Sequence, residues 1–208
     1  MTELLEHLRA RREGGRKLLV PYLMGGIPEP EAYPDALRAV AQHADTVEVG
    51  LPYSDPLMDG PVIAAAGERA LRAGVGPIDT LRATTEVELA VPRVAMTYYN
   101  PIHKMGEAEF CTLMVGAGFV YAVSTLGVTG ERGSLSERAA KVVAACRVAT
   151  DLPVLVGIGV STPQHALEAT AEADGVVIGS AVVRLVLEQG AAAASTFLGT
   201  IRDALDAV

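Results

Sequence analysis

Six times along the chain, a short apolar run rich in valine passes into a loop of glycine, proline and aspartate and then into an amphipathic, helix-like stretch. This alternation constrains the fold more than any other feature of the sequence. The strand candidates are Leu18–Tyr22, Thr46–Val49, Val94–Tyr98, Val120–Ser124, Val154–Ile158 and Gly175–Ile178. They are continuous apolar runs and do not alternate with polar residues, which suits a sheet buried on both faces. Helices are expected over Thr2–Glu13, from about Pro30 to His43, and from Pro61, where proline suits a first helical position. Further helices are expected over Glu107–Val115, Ser136–Ala149 and Pro163–Ala171, from Ala181 and from about Ser195. Parallel strands joined by helices imply right-handed crossovers, hence a barrel or a doubly wound sheet.

With 208 residues and half of them hydrophobic, the chain has the composition of one globular domain and excludes a disordered one. Lys and Arg total 17 against 25 Asp and Glu, a net charge of −8, which argues against nucleic acid as a partner. Cys111 and Cys146 have no metal-ligand spacing, and His7, His43, His103 and His165 fall in helices or beside loops as surface positions. No bound metal is expected. No apolar run reaches membrane-spanning length, and Met1-Thr2-Glu3 opens no signal peptide, so no membrane partner and a cytoplasmic location are expected.

In a barrel or a doubly wound sheet, ligands bind at the carboxyl ends of the strands. The loop after the second strand, Glu48 to Pro61, carries three carboxylates, Glu48, Asp55 and Asp59. Glu48 is a charge within an apolar strand, costly to bury unless partnered or used, although an outward-facing strand end would also explain it. Asp59, before Gly60-Pro61, also reads as a helix cap. The last two strands end in Gly157-Ile-Gly159-Val-Ser161 and Gly179-Ser180, loops whose backbone N–H groups can approach an anion. Gly127-Val-Thr-Gly130 adds a third such loop. Together they favour a phosphorylated small molecule held by backbone donors, since no lysine lies near and Arg184 is more than one helical turn beyond Gly179.

Taken together, several segments resemble the tryptophan synthase α subunit family. They are Val20-Pro-Tyr22 with Gly26-Ile-Pro28, Val47 to Pro61 with its Pro-Tyr-Ser-Asp-Pro-Leu-Met-Asp-Gly-Pro run, and Thr97-Tyr-Tyr-Asn-Pro101. Tyr121 to Gly130, Val156 to Ser161 and Asp174 to Ser180 complete the set. The resemblance implies a TIM-type (β/α) barrel that cleaves indole-3-glycerol phosphate to indole and glyceraldehyde 3-phosphate in tryptophan biosynthesis, without a cofactor, in an α2β2 complex with a β subunit. It implies that Glu48 is the catalytic acid/base and that Asp59 holds the indole N–H. Tyr22 would wall the ring pocket and Tyr121 would lie near the glycerol portion. Thr129, Gly130, Gly159, Gly179 and Ser180 would bind the phosphate end. Pro52 to Pro61 would meet the β subunit, and Thr125 to Ser134 would close over the substrate.

The family has eight βα units, and six are visible here. The resemblance therefore implies a single domain over 1–208 with a deletion or omitted segment of some 40–60 residues near 116–120, and the length falls short of the ~250 usual for such barrels. The strands on either side of the gap are expected to keep their family positions, with a vacancy between them and a tendency to self-associate. Two other readings stand beside this one: a catalytically impaired remnant that keeps the phosphate site or the β-subunit surface, and another phosphate-binding barrel enzyme such as a phosphosugar isomerase.

Overall fold

A computed structural model describes residues 3–56, 59–98, 101, 103–104, 120–122, 143–144, 146–148, 152–157 and 159–208. Among them the order is α1 (Glu3–Arg12), β1 (Leu18–Met24), α2 (Tyr33–Ala41), β2 (Val47–Gly50), α3 (Pro61–Arg72), α4 (Pro77–Glu86) and β3 (Arg93–Met96), then β4 (Val120–Ala122), β5 (Val154–Val156), α5 (Pro163–Thr170), β6 (Gly175–Ile178), α6 (Ser180–Gln189) and α7 (Ala191–Asp206). The six strands form one sheet in the order β3-β2-β1-β6-β5-β4, and all neighbours are parallel. Among the described residues β3 and β4 are its outer strands and do not pair with each other. None of the described helices is long and apolar enough to cross a membrane.

The sequence reading omits α4 and starts the last helix too late. Gly76-Pro77 opens α4, with the Asp79 carboxylate accepting from the Gly76 N–H at 3.0 Å. The Thr-rich helix that follows carries only a thin apolar stripe, so its periodicity is weak. The alanine tract 191–194 is the first turn of α7, in keeping with alanine's high helix propensity. The helices expected over Glu107–Val115 and most of Ser136–Ala149 lie outside the described residues. So does Cys111, whereas Cys146 carries a free thiol.

Register explains why one side of the sheet is built for chemistry. Tyr22 on β1 and Val94 on β3 both stand beside Glu48 on β2, and two residues further on, Met24, Gly50 and Met96 form the next row. Residues two apart share a face, so these rows are successive layers of the barrel interior. Below them α1 plugs the amino-terminal mouth, packing Leu4 and Leu8 against Leu18, Val20, Leu155 and Val177. On the outer face Leu19, Leu23, Val47, Val49 and Val176 pack within the larger core that includes α2, α6 and α7.

Two aspartates just ahead of strands fasten the lower rim in the same way. Asp45 precedes β2 and its carboxylate accepts from Leu19 N–H at 2.9 Å; Asp174 precedes β6 and accepts from Val154 N–H at 2.8 Å. Asp45 is fully buried and faces Arg202 of α7 at 3.1 Å, with Arg16 at 3.1 Å and Arg11 at 3.4 Å. Asp174 draws Arg12 at 2.8 Å and Arg147 at 3.1 Å. His7 also joins the rim, its Nε2 lying 2.9 Å from the Asp45 carbonyl oxygen.

Candidate active site

Glu48 lies between two buried valines of β2 and is itself only 7% exposed. The outward-facing alternative is thereby excluded. Among the described residues its carboxylate has no hydrogen-bond partner, and burial pushes its pKa from 4.5 up to about 7. A carboxyl group poised there can hold a proton or remove one near neutral pH.

Asp59 enters from the loop after β2. It is half-buried, and burial raises its pKa while a hydrogen bond from the Tyr98 hydroxyl, at 3.2 Å, opposes that shift. Gly60, with no side chain to offer, is the residue that caps α3, so Asp59 is free of the helix-cap role. Asp55, the third carboxylate of the loop, is exposed and accepts from the Ser54 hydroxyl at 2.6 Å.

Tyr22, Leu51, Asp59, Met96, Thr97 and Tyr98 enclose a cavity of about 210 Å³, apolar apart from a few polar groups. Tyr53 packs on Tyr98 with ring centroids 5.1 Å apart, which fixes the ring whose hydroxyl bonds Asp59. A second cavity, of about 290 Å³, is lined by Ile63, Gly157, Gly159, Ser161, Gly179, Ser180 and Arg184, among others. Gly159 has φ +45°, a conformation that a side chain would strain, and Gly179 immediately precedes α6. The N-terminal end of α6 therefore opens on this cavity and favours an anion there. One residue of each cavity packs against the other: a Cβ added to Gly179 of the second would lie 3.7 Å from Cβ of Tyr22 of the first, and 3.3 Å from Ile63 Cδ1.

The structure thus brings Glu48, Asp59, Tyr22, Gly159, Gly179 and Ser180 to one end of the sheet. Tyr121 stands on β4, with Leu155 as its Cα partner. Thr129 and Gly130, and the whole of 125–134, lie outside the described residues. Sequence reasoning missed Tyr98, although the Thr97–Pro101 motif at a strand end held the signal. It also placed Arg184 too far away: one turn into α6, this side chain reaches the cavity rim. Among the described residues no group of His, Cys, Asp and Glu is arranged to hold a metal ion.

Side chains converging on the carboxyl ends of parallel strands, with the opposite mouth plugged by a helix, make this a (β/α)-barrel enzyme. The family model described as "Tryptophan synthase alpha chain" matches residues 8–117 and 112–197. The tryptophan synthase alpha chain of Streptomyces avermitilis is 37% identical over 238 aligned positions, covering 89% of this chain and 86% of that one; the Thermosynechococcus vestitus protein of the same name is 34% identical over 262 positions, covering 99% and 97%. Tryptophan synthase of Mycobacterium tuberculosis in space group F222 superposes with a TM-score of 0.86 at 30% identity, over 98% of both chains. The alpha subunit from Legionella pneumophila, at 23% identity, shares the fold with a TM-score of 0.85 over the whole of both chains. The chain belongs to the tryptophan synthase alpha chain family.

Proposed function

We propose that the chain is a lyase of tryptophan biosynthesis that cleaves indole-3-glycerol phosphate by a retro-aldol reaction, giving indole and glyceraldehyde 3-phosphate. The observation that carries this reading is the buried Glu48 carboxyl, poised near pH 7 on the strand beside Tyr22, which lines a cavity of about 210 Å³ together with Asp59. The reaction needs one proton delivered to the ring carbon that is released and one removed from the neighbouring hydroxyl. Glu48 performs both transfers. As the ring carbon is protonated, positive charge develops at the ring nitrogen, and Asp59, oriented by Tyr98, accepts the N–H and stabilises it. The phosphate rests in the cradle of Gly159, Gly179 and Ser180. The balance of atoms and protons closes with these groups and calls for no cofactor.

Retention of both carboxylates and of the anion cavity favours a working enzyme over an impaired remnant. The carboxylate-bearing Pro52–Pro61 loop argues against a phosphosugar isomerase. We also read the chain as one domain over 1–208 with a deletion or omitted segment near 116–120; alignments of 262 positions against 208 residues support this. We place the protein in the cytoplasm, in complex with a tryptophan synthase β subunit that the Pro52–Pro61 loop meets. The test is release of indole from indole-3-glycerol phosphate, measured with and without a β subunit. The parent chain turns over, and Glu48→Gln loses about 10²–10⁴-fold in rate. A Glu48→Gln chain as fast as the parent would remove Glu48 from the proton transfers.

A further inference from the structure

An aromatic wall needs a flat ring and nothing more, yet Tyr22 brings a hydroxyl into the interior. The residue is 2% exposed, and among the described residues its hydroxyl has one hydrogen-bond partner, Met24 Sδ at 3.8 Å. Thioether sulfur is a weak acceptor, so a buried O–H is left without an oxygen or nitrogen to donate to. Natural interiors rarely leave such a group unmatched unless a ligand completes it.

Its position shows which part of a ligand could do so. Tyr22 is the Cα neighbour of Glu48 across β1 and β2, on the same face of the sheet. From its Cβ, 3.7 Å from where a Cβ on Gly179 would lie, the side chain reaches to Gly50, two residues beyond Glu48 on the same face. The phenol oxygen packs so closely there that a Cβ on Gly50 would fall 1.8 Å from it. Tyr22 also lines the ring cavity with Asp59. It therefore spans the stretch between the phosphate cradle and the ring pocket, where the carbon chain of the substrate and its reacting hydroxyl must lie.

We propose that the Tyr22 hydroxyl donates a hydrogen bond to the substrate oxygen from which Glu48 removes the proton. This inference rests on the proposed function. In the step, the O–H proton passes to Glu48, the oxygen's electron pair becomes the aldehyde C=O, and the carbon–carbon pair returns to the ring already protonated at carbon. Tyr22 keeps its own proton throughout and steadies the partial negative charge on the oxygen as the bond breaks. Burial, followed by the charges of Asp59 and Glu48, holds the phenol proton in place, with its pKa raised well above the ordinary tyrosine value.

Tyr22→Phe separates this role from that of a wall, because phenylalanine keeps the ring and its packing over Gly50. Three quantities are measured on parent and variant: kcat and KM for indole-3-glycerol phosphate, affinity for indole, and affinity for 3-(indol-3-yl)propyl phosphate, which has ring and phosphate but no hydroxyl. The expected result is a loss of about 10²-fold in kcat, with both affinities within twofold of the parent and thermal unfolding unchanged. An unchanged kcat overturns the proposal. So does a fall in kcat matched by an equal loss of affinity for the ligand without hydroxyls, which would make Tyr22 a packing residue. A parent chain that releases no indole, with or without a β subunit, overturns the functional reading and this role together; an active parent with an equally active Tyr22→Phe overturns this role alone.

Discussion

Glu48 occupies a place that folding alone would not choose for a carboxyl group. Buried in β2 with its pKa at about 7, it folds most readily when protonated. Below about pH 4.5 the folded and unfolded chains both carry that proton, and the full stability is present. As pH rises through about 7 the folded chain must ionise a buried group, and this contribution is lost. The shift corresponds to about 3 kcal/mol. Glu48→Gln, which stays neutral, is therefore expected to be more stable than the parent by up to about 3 kcal/mol at pH 8 and nearly equal to it at pH 4, as read from urea midpoints. Equal midpoints at pH 8 would mean that the carboxyl is better solvated than its burial implies. Activity moves in the same sense, because the first transfer, protonation of the ring carbon, needs Glu48 to hold its proton at the start of the cycle, and removal of the hydroxyl proton then restores it. The rate falls as pH rises through about 7, and Glu48→Gln, which has no proton to give, loses this limb. A residue that weakens the fold above neutrality is the one on which the proposed reaction depends.

At the scale of elements, the junction of β6 and α6 decides how the anion is held. Glycine and serine at strand ends were legible in the sequence because backbone approach needs small residues, and Gly159 and Gly179 do line one cavity. Arg184 was misjudged because linear distance along α6 conceals the return of the helix face after one turn. Its exposed guanidinium on the rim predicts that Arg184→Gln raises KM for the phosphorylated substrate about 3- to 10-fold, leaves kcat and indole affinity unchanged, and weakens the salt dependence of KM. Unchanged KM would leave the backbone donors as the whole of the cradle. The strands were read well because valine runs are distinctive. The short, Thr-rich α4 escaped because its stability comes from packing Leu81, Thr80 and Thr84 and from the Asp79 cap more than from a strong apolar stripe. The Tyr98–Asp59 bond was invisible because it joins residues 39 positions apart through the fold.

Across the whole molecule, the carboxyl-terminal helix is tied to the amino-terminal half at Asp45. Arg202 is 6% exposed and bonds both the Asp45 carboxylate at 3.1 Å and the Lys17 carbonyl at 3.0 Å. Arg202→Met would leave Asp45 facing only the partly exposed Arg16 and Arg11. Loss of one partner from a buried pair is expected to lower stability by about 3 kcal/mol, seen as a lower urea midpoint with the slope unchanged. A shift below about 0.5 kcal/mol would show that the remaining arginines compensate. Nothing in the sequence marked Asp45 or Arg202, since 157 residues separate them. The strand order carries a further consequence, for synthesis. In β3-β2-β1-β6-β5-β4 the middle pair comes from opposite ends of the chain, Leu18 lying against Gly175. A nascent chain that pairs β1 with β2 as they emerge leaves the other edge of β1 open, and that edge must wait for almost the entire polypeptide. Until β6 emerges the sheet cannot close at its centre, so a ribosome stalled before residue 175 would present chaperones and proteases with an apolar strand edge that the finished protein never shows.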